Sequence, residues 1–180
     1  LAVPAGAGGK GRLVISVGEM DAPATLDVYE DFRCPACGAF EAKYHKTIDK
    51  LVSDGKVRVD YHLASFIDRN VGGSGSRYAA NAAACAQDFG AFAEYHRVLF
   101  DHQPPETEDD FGQKDRLIEL AQKVPALKAN KHFDTCVDDG VYDGWVARSQ
   151  EAFDESGFNS TPTVLLNGKD IFADGEKMTP

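Results

Sequence analysis

The chain has 180 residues, 43% of them hydrophobic and 27% charged, and a formal net charge of −10. That is the make-up of one soluble globular domain, or of one domain carrying an insertion. The acid excess argues against nucleic acid and anionic membrane surfaces as partners, and no stretch reads as a transmembrane helix or a signal peptide.

Leu1 to Arg12 is rich in Ala and Gly and reads as a flexible tether. With Leu rather than Met in first place, it is expected to follow an export signal or membrane anchor. Leu13 to Val17 reads as a short edge strand, and Asp21-Ala22-Pro23 punctuates before the alternating run Leu26 to Phe32, a half-buried strand. Phe40, Tyr44, Ile48 and Leu51 then recur at helical spacing, predicting a helix from about Cys34 to Ser53 that Asp54-Gly55 ends. Lys56 to Phe66 alternates again as a strand. Gly72 to Ser76 reads as a flexible joint without the lysine of a phosphate loop.

A helical block is expected from about Arg77 to Gly157. Its stripes are Tyr78, Ala82 and Cys85; Phe92, Tyr95 and Leu99; Leu117, Leu120 and Val124, capped by Asp109 or Asp110; Phe133, Cys136 and Val137; and Trp145, Ser149 and Phe153. Thr163 to Phe172, with Asn167-Gly168 in its middle, reads as a β-hairpin. Thr179-Pro180 reads as the cap and first residue of one more helix, expected to cover the sheet, with the sequence stopping where it would begin. Strands interleaved with helices predict an α/β domain with an inserted helical subdomain. The division is 1–12 as tether, 13–72 and 157–180 as the α/β domain, and 73–156 as the insertion.

The chemistry sits at Cys34-Pro35-Ala36-Cys37, where the strand pattern turns into the helix pattern. Two thiols in C-x-x-C at a helix start can close a small ring, and the helix N-terminus favours the thiolate of the first. The thiolate is the species that attacks disulfides. A structural zinc site would need a second close ligand pair, whereas Cys85 and Cys136 stand alone and the five histidines form no H-x-x-x-H pair. A purely structural Cys34–Cys37 bond would close too short a loop to stabilise much. The expected activity is thiol–disulfide exchange, with no metal and no cofactor.

Glu30-Asp31-Phe32-Arg33-Cys34-Pro35-Ala36-Cys37, together with Ser160-Thr161-Pro162-Thr163 before the Asn-Gly hairpin, resembles the DsbA-type branch of the thioredoxin superfamily. The likeness runs from about Leu26 to Phe172, and the second cysteine pair is similar to the layout of actinobacterial, membrane-tethered members. It implies a thioredoxin fold with an inserted helical subdomain. It implies that Cys34 is an exposed nucleophile, that Cys37 is a buried resolving thiol, and that Thr161-Pro162 faces them with its peptide bond in cis. A proline lacks an N–H, so the Thr161 backbone there would be free to pair with an extended substrate chain.

Two departures stand out. Ala36 occupies the place where strongly oxidising relatives carry His, so a less oxidising potential is expected. Val28 occupies the place of the buried acid of many relatives, which leaves Asp31 or Glu30 as candidate proton acceptors for Cys37, or as solvated charges at a strand end.

Cys85 and Cys136 lie on apolar helix faces. They are either two unpaired core thiols or, in an oxidising compartment, a structural disulfide. The resemblance implies an extracytoplasmic monomer, in the cell envelope or secreted and membrane-tethered, which oxidises unfolded exported proteins bearing free thiols. A membrane partner, DsbB-like or a vitamin K epoxide reductase homologue, would reoxidise it. A reductase or isomerase would share the site. A thioredoxin-fold metal chaperone would more often use C-x-x-x-C with a nearby His.

Overall fold

The computed structural model describes residues 1–172, so the helix expected at Thr179-Pro180 lies outside the described residues. The strands are β1 (Ile15–Val17), β2 (Ala24–Glu30), β3 (Val57–Leu63), β4 (Thr163–Leu166) and β5 (Lys169–Asp170). The helices are α1 (Pro35–Ser53), α2 (Ile67–Val71), α3 (Gly75–Gln87), α4 (Phe92–Asp101), α5 (Lys114–Ala121), α6 (Lys131–Asp139) and α7 (Asp143–Glu155). The sheet order is β1-β3-β2-β4-β5. The pair β2–β3 is parallel, joined through α1, and every other pair is antiparallel.

The period-2 alternation of β2 and β3 sends Leu26, Val28, Val59 and Tyr61 to one face. That face is covered by α1, through Tyr44 and Ile48, and by α4, whose Phe92 and His96 rings pack on Tyr61. Glu30 has the same parity as Leu26 and Val28, so its carboxylate is buried with them. On the other face Tyr29 meets Phe153 of α7. The helices α2–α7 all fall between β3 and β4. At their centre is α3, whose run of alanines (Ala79, Ala80, Ala82, Ala83, Ala84, Ala86) is buried on every side and lets neighbouring helices approach closely. Cys85 of α3 is bonded to Cys136 of α6 at an S–S distance of 2.08 Å.

Four local expectations are corrected. The segment 1–12 is seated on the helices and is not a free tether: Ala5 N–H donates to Asp88 and the Ala5 carbonyl accepts from Gln87, while Trp145 Nε1 donates to the Arg12 carbonyl. Its glycines supply turns, Gly6, Gly9 and Gly11 having φ of 70°, 71° and 70°. The glycine-rich joint after Val71 is held by carboxylates, since Asp109 accepts the N–H groups of Ser74 and Gly75 and Asp68 those of Ser76 and Arg77. As a result α3 starts at Gly75, ahead of Arg77, and is preceded by the short α2. Asp109 therefore serves the start of α3 and does not cap α5, whose N-cap is Gln113. The hairpin turns at Asn167-Gly168, both with positive φ, but its second strand spans only Lys169–Asp170 and stops short of Phe172.

Candidate active site

Strand β2 and helix α1 meet at Cys34, which is the N-cap of α1 with Pro35 in the first turn. Proline suits that position because the N–H it lacks would have no partner in the helix. The N–H groups of Ala36 and Cys37 point at the Cys34 sulfur. Cys34 Sγ also lies 3.5 Å from the Thr161 carbonyl oxygen, in the loop that leads into β4. The Thr161–Pro162 peptide bond is cis. The Thr161 hydroxyl is buried without a hydrogen-bond partner, near enough to the two thiols to lower the pKa of each. The structure thus brings Cys34, Cys37 and Thr161 together from opposite ends of the chain, with Pro35 and Ala36 exposed on the rim.

The two free thiols have opposite acidity. The Cys37 thiol donates to Cys34 and lowers the Cys34 pKa to about 6, against the opposing effect of burial, with help from the Thr161 hydroxyl and the Cys37 and Ala36 N–H groups. Burial pushes the Cys37 thiol well up, and its bond to Cys34 and the charge of Glu30 push it further. The expected exposed nucleophile is corrected in one respect. Cys34 is only 7% exposed, against 0% for Cys37, because the Thr161 loop lies over its sulfur.

The two candidate acids have different surroundings. Asp31 is fully engaged in holding the backbone: it accepts from Arg33 N–H, Ile67 N–H and the Ser76 hydroxyl. Burial raises its pKa to about 6 against those bonds. Burial raises Glu30 to about 7, and its charge is felt at Cys37. Its Oε1 is hydrogen-bonded to His96 Nε2 at 2.8 Å. Glu41 of α1 lies beside it and is raised to about 9 by burial and then by the Glu30 charge.

Glu30, Glu41 and His96 went unread in sequence as a cluster, and among the described residues they alone converge closely enough to hold an ion. His96 Nε2 lies 2.8 Å from Glu30 Oε1 and 3.6 Å from Glu41 Oε1, and Arg97 Nη1 stands 3.7 Å from Glu41 Oε2, while Glu30 Oε2 and Glu41 Oε1 are buried without a hydrogen-bond partner. Two further residues that sequence reasoning passed over touch the motif. Gln103 donates to backbone carbonyls on either side of Arg33. Arg33 itself is buried and paired with Asp68.

A thioredoxin family model matches residues 12–179. Disulfide bond formation protein D of Bacillus subtilis is 29% identical over 174 residues, which cover 94% of this chain and 74% of that protein. The reduced crystal structure of DsbA from Mycobacterium tuberculosis is similar with a TM-score of 0.74 and 32% identity, over 88% of this chain and 84% of that one. The disulfide bond oxidoreductase DsbG of the same organism gives 0.74 and 33%, over 87% and 79%.

Proposed function

The chain belongs to the thioredoxin family, among its DsbA-type thiol:disulfide oxidoreductases, and from that premise we propose that it oxidises dithiols of exported proteins through Cys34 and Cys37. The observation that carries this reading is the split between the two thiols, one held near 6 and the other pushed well above its ordinary value. In the oxidised enzyme a substrate thiolate attacks Cys34 Sγ. The Cys34–Cys37 bond breaks, and its electron pair leaves on Cys37, which takes up a proton. Glu30, with its pKa near 7 and its charge felt at Cys37, is placed to supply that proton. A second substrate thiolate then attacks the substrate sulfur of the mixed disulfide. Cys34 departs as a thiolate, a good leaving group because its acidity is high. The substrate gains a disulfide and the enzyme keeps two electrons.

The Thr161-Pro162 loop, lying over Cys34, is the proposed backbone edge for an extended substrate. The Cys85–Cys136 bond is the proposed structural staple of the helical insertion, residues 73–156, set into a thioredoxin-like domain of 13–72 and 157–180. The proposed setting is extracytoplasmic, an oxidising compartment in which disulfides persist, and the two electrons pass to a membrane reoxidant, DsbB-like or a vitamin K epoxide reductase homologue. None of the described helices is long and apolar enough to cross a membrane.

A glutathione redox titration, read by alkylation and mass spectrometry of each cysteine, tests the direction of flow. Cys34–Cys37 titrating well above about −270 mV, the thioredoxin value, supports the oxidase. A value at or below it turns the reading to a reductase. Cys34→Ser is expected to abolish exchange and Cys37→Ser to accumulate mixed disulfides; full activity in Cys34→Ser overturns the assignment.

A further inference from the structure

Gln103 lies in the loop after α4, half-buried against the cysteine motif. Its Nε2 donates to the Phe32 carbonyl and to the Cys34 carbonyl, each at 2.9 Å. Two carbonyl acceptors on one atom fix which way the amide points, since its oxygen in that place would face oxygens. The Gln103 Oε1 is thereby turned toward Gly38 on the first turn of α1. A Cβ at Gly38 would run into that oxygen, while Gly38 itself has no left-handed φ, so this glycine is there for space and not for backbone freedom. The same loop takes a second hold: Arg33 Nη2 donates to the Glu106 carbonyl at 3.0 Å. Gln103 therefore grips the backbone on both sides of Arg33, and the Glu106 carbonyl holds the Arg33 side chain.

We propose that Gln103 is a positioning residue for the Cys34 nucleophile, holding the strand-to-helix turn so that Sγ stays aligned with the Ala36 and Cys37 N–H groups and the Thr161 loop. Hydrogen bonds to a thiolate are directional, and the Cys34 backbone, extended at the N-cap with ψ of 118°, decides where Sγ falls. Without the amide, the Phe32 and Cys34 carbonyls lose a donor and the turn is free to rotate Sγ away from its partners. Thiolate stabilisation then drops, and the reduced form loses ground to the disulfide. This inference rests on Cys34 being the attacking thiol.

The test compares Gln103→Met, which keeps the shape without donors, Gln103→Glu, which keeps the shape and sets a carboxylate against two carbonyls, and Gly38→Ala, which displaces the amide from the other side. For each, the glutathione equilibrium constant, the pH profile of Cys34 alkylation and the urea stability of the oxidised form are measured. Gln103→Met is expected to lower the oxidising equilibrium constant about tenfold, which is about 30 mV, and to move the alkylation profile to higher pH. Gln103→Glu is expected to move both further. Gly38→Ala is expected to reproduce the Met effect and to add nothing in a Gln103→Ala background, where the obstructing oxygen is gone. A wild-type constant and pH profile in both Met and Glu variants overturns the proposal, as does full additivity of Gly38→Ala and Gln103→Ala. The reading of Cys34 is checked separately, since its failure shows as activity in Cys34→Ser.

Discussion

Arg33 Nη1 and Asp68 Oδ1 stand 2.7 Å apart with side chains 2% and 4% exposed, so the residue before the nucleophile is ion-paired inside the protein to the short helix α2. Removing Asp68 leaves the buried Arg33 with only the part-exposed Asp109, 3.2 Å from its Nη1, and stripping a buried charge of its main partner costs up to about 3–5 kcal/mol. Asp68→Ala additionally frees the N–H groups of Ser76 and Arg77. Urea denaturation is expected to show a loss in that range, with Asp68→Asn losing less because it keeps an acceptor. A loss below about 1 kcal/mol would mean the pair is not buried in solution.

Cys34 alkylation should reach half its maximal rate near pH 6, the pH to which its thiol is lowered. The sign for stability follows from the depression. The reduced protein gains from its thiolate above the unfolded thiol value of about 8.5, and that gain is lost as pH falls through about 6. Thr161→Val removes the buried hydroxyl that helps lower the Cys34 thiol and should shift the profile to higher pH. An unchanged profile in that variant would show that the hydroxyl does not reach the thiolate.

Glu41 gives the opposite dependence. Its carboxyl is pushed up to about 9, first by burial and then by the Glu30 charge, whereas an unfolded glutamate titrates near about 4.3. Across that window the folded protein holds a proton that the unfolded chain releases, so stability falls as pH rises. Glu41→Gln should be close to wild type at pH 4 and progressively more stable than wild type toward pH 9. A difference that does not vary with pH would contradict the buried, protonated state.

The Cys85–Cys136 bond closes a separation of 51 residues. In the chain-entropy treatment a loop of that size is worth about 4 kcal/mol. The double variant Cys85→Ala, Cys136→Ala should lose roughly that much in denaturant while Cys34 alkylation kinetics stay unchanged, since neither residue lies among the groups around the Cys34 sulfur. A loss of the fast Cys34 reaction alongside stability would mean the two regions are coupled.

What the sequence disclosed was whatever local pattern determines. Cys34-Pro35-Ala36-Cys37 marked the strand-to-helix junction, and Asn167-Gly168 marked the turn, because turn and cap chemistry need particular residues at particular places. The burial of Glu30 was also present in the alternation, by its shared parity with Leu26 and Val28, but a charge at a strand end suggests solvent unless its partners are known. Those partners, Glu41 and His96, come from two different helices, and nothing local pairs them. Gln103 left no trace at all: it follows the end of α4, outside any periodic stripe, and its role depends on where the loop lands. The N-terminal glycines misled because the same residue that loosens a linker also makes tight turns.

The site is divided along the chain, Thr161 standing 127 residues beyond Cys34, with the inserted helices between them. At ordinary synthesis rates of about 5–20 residues per second, the cysteines precede their partner by roughly 6–25 s. During that interval Cys34 has at most the Cys37 thiol and the α1 N–H groups, without the Thr161 hydroxyl or the shielding loop, and β2 still lacks β4 as its neighbour. A growing chain therefore carries two thiols short of their full difference in reactivity. They complete it late, when Val164 pairs with Val28 and β4 joins β2.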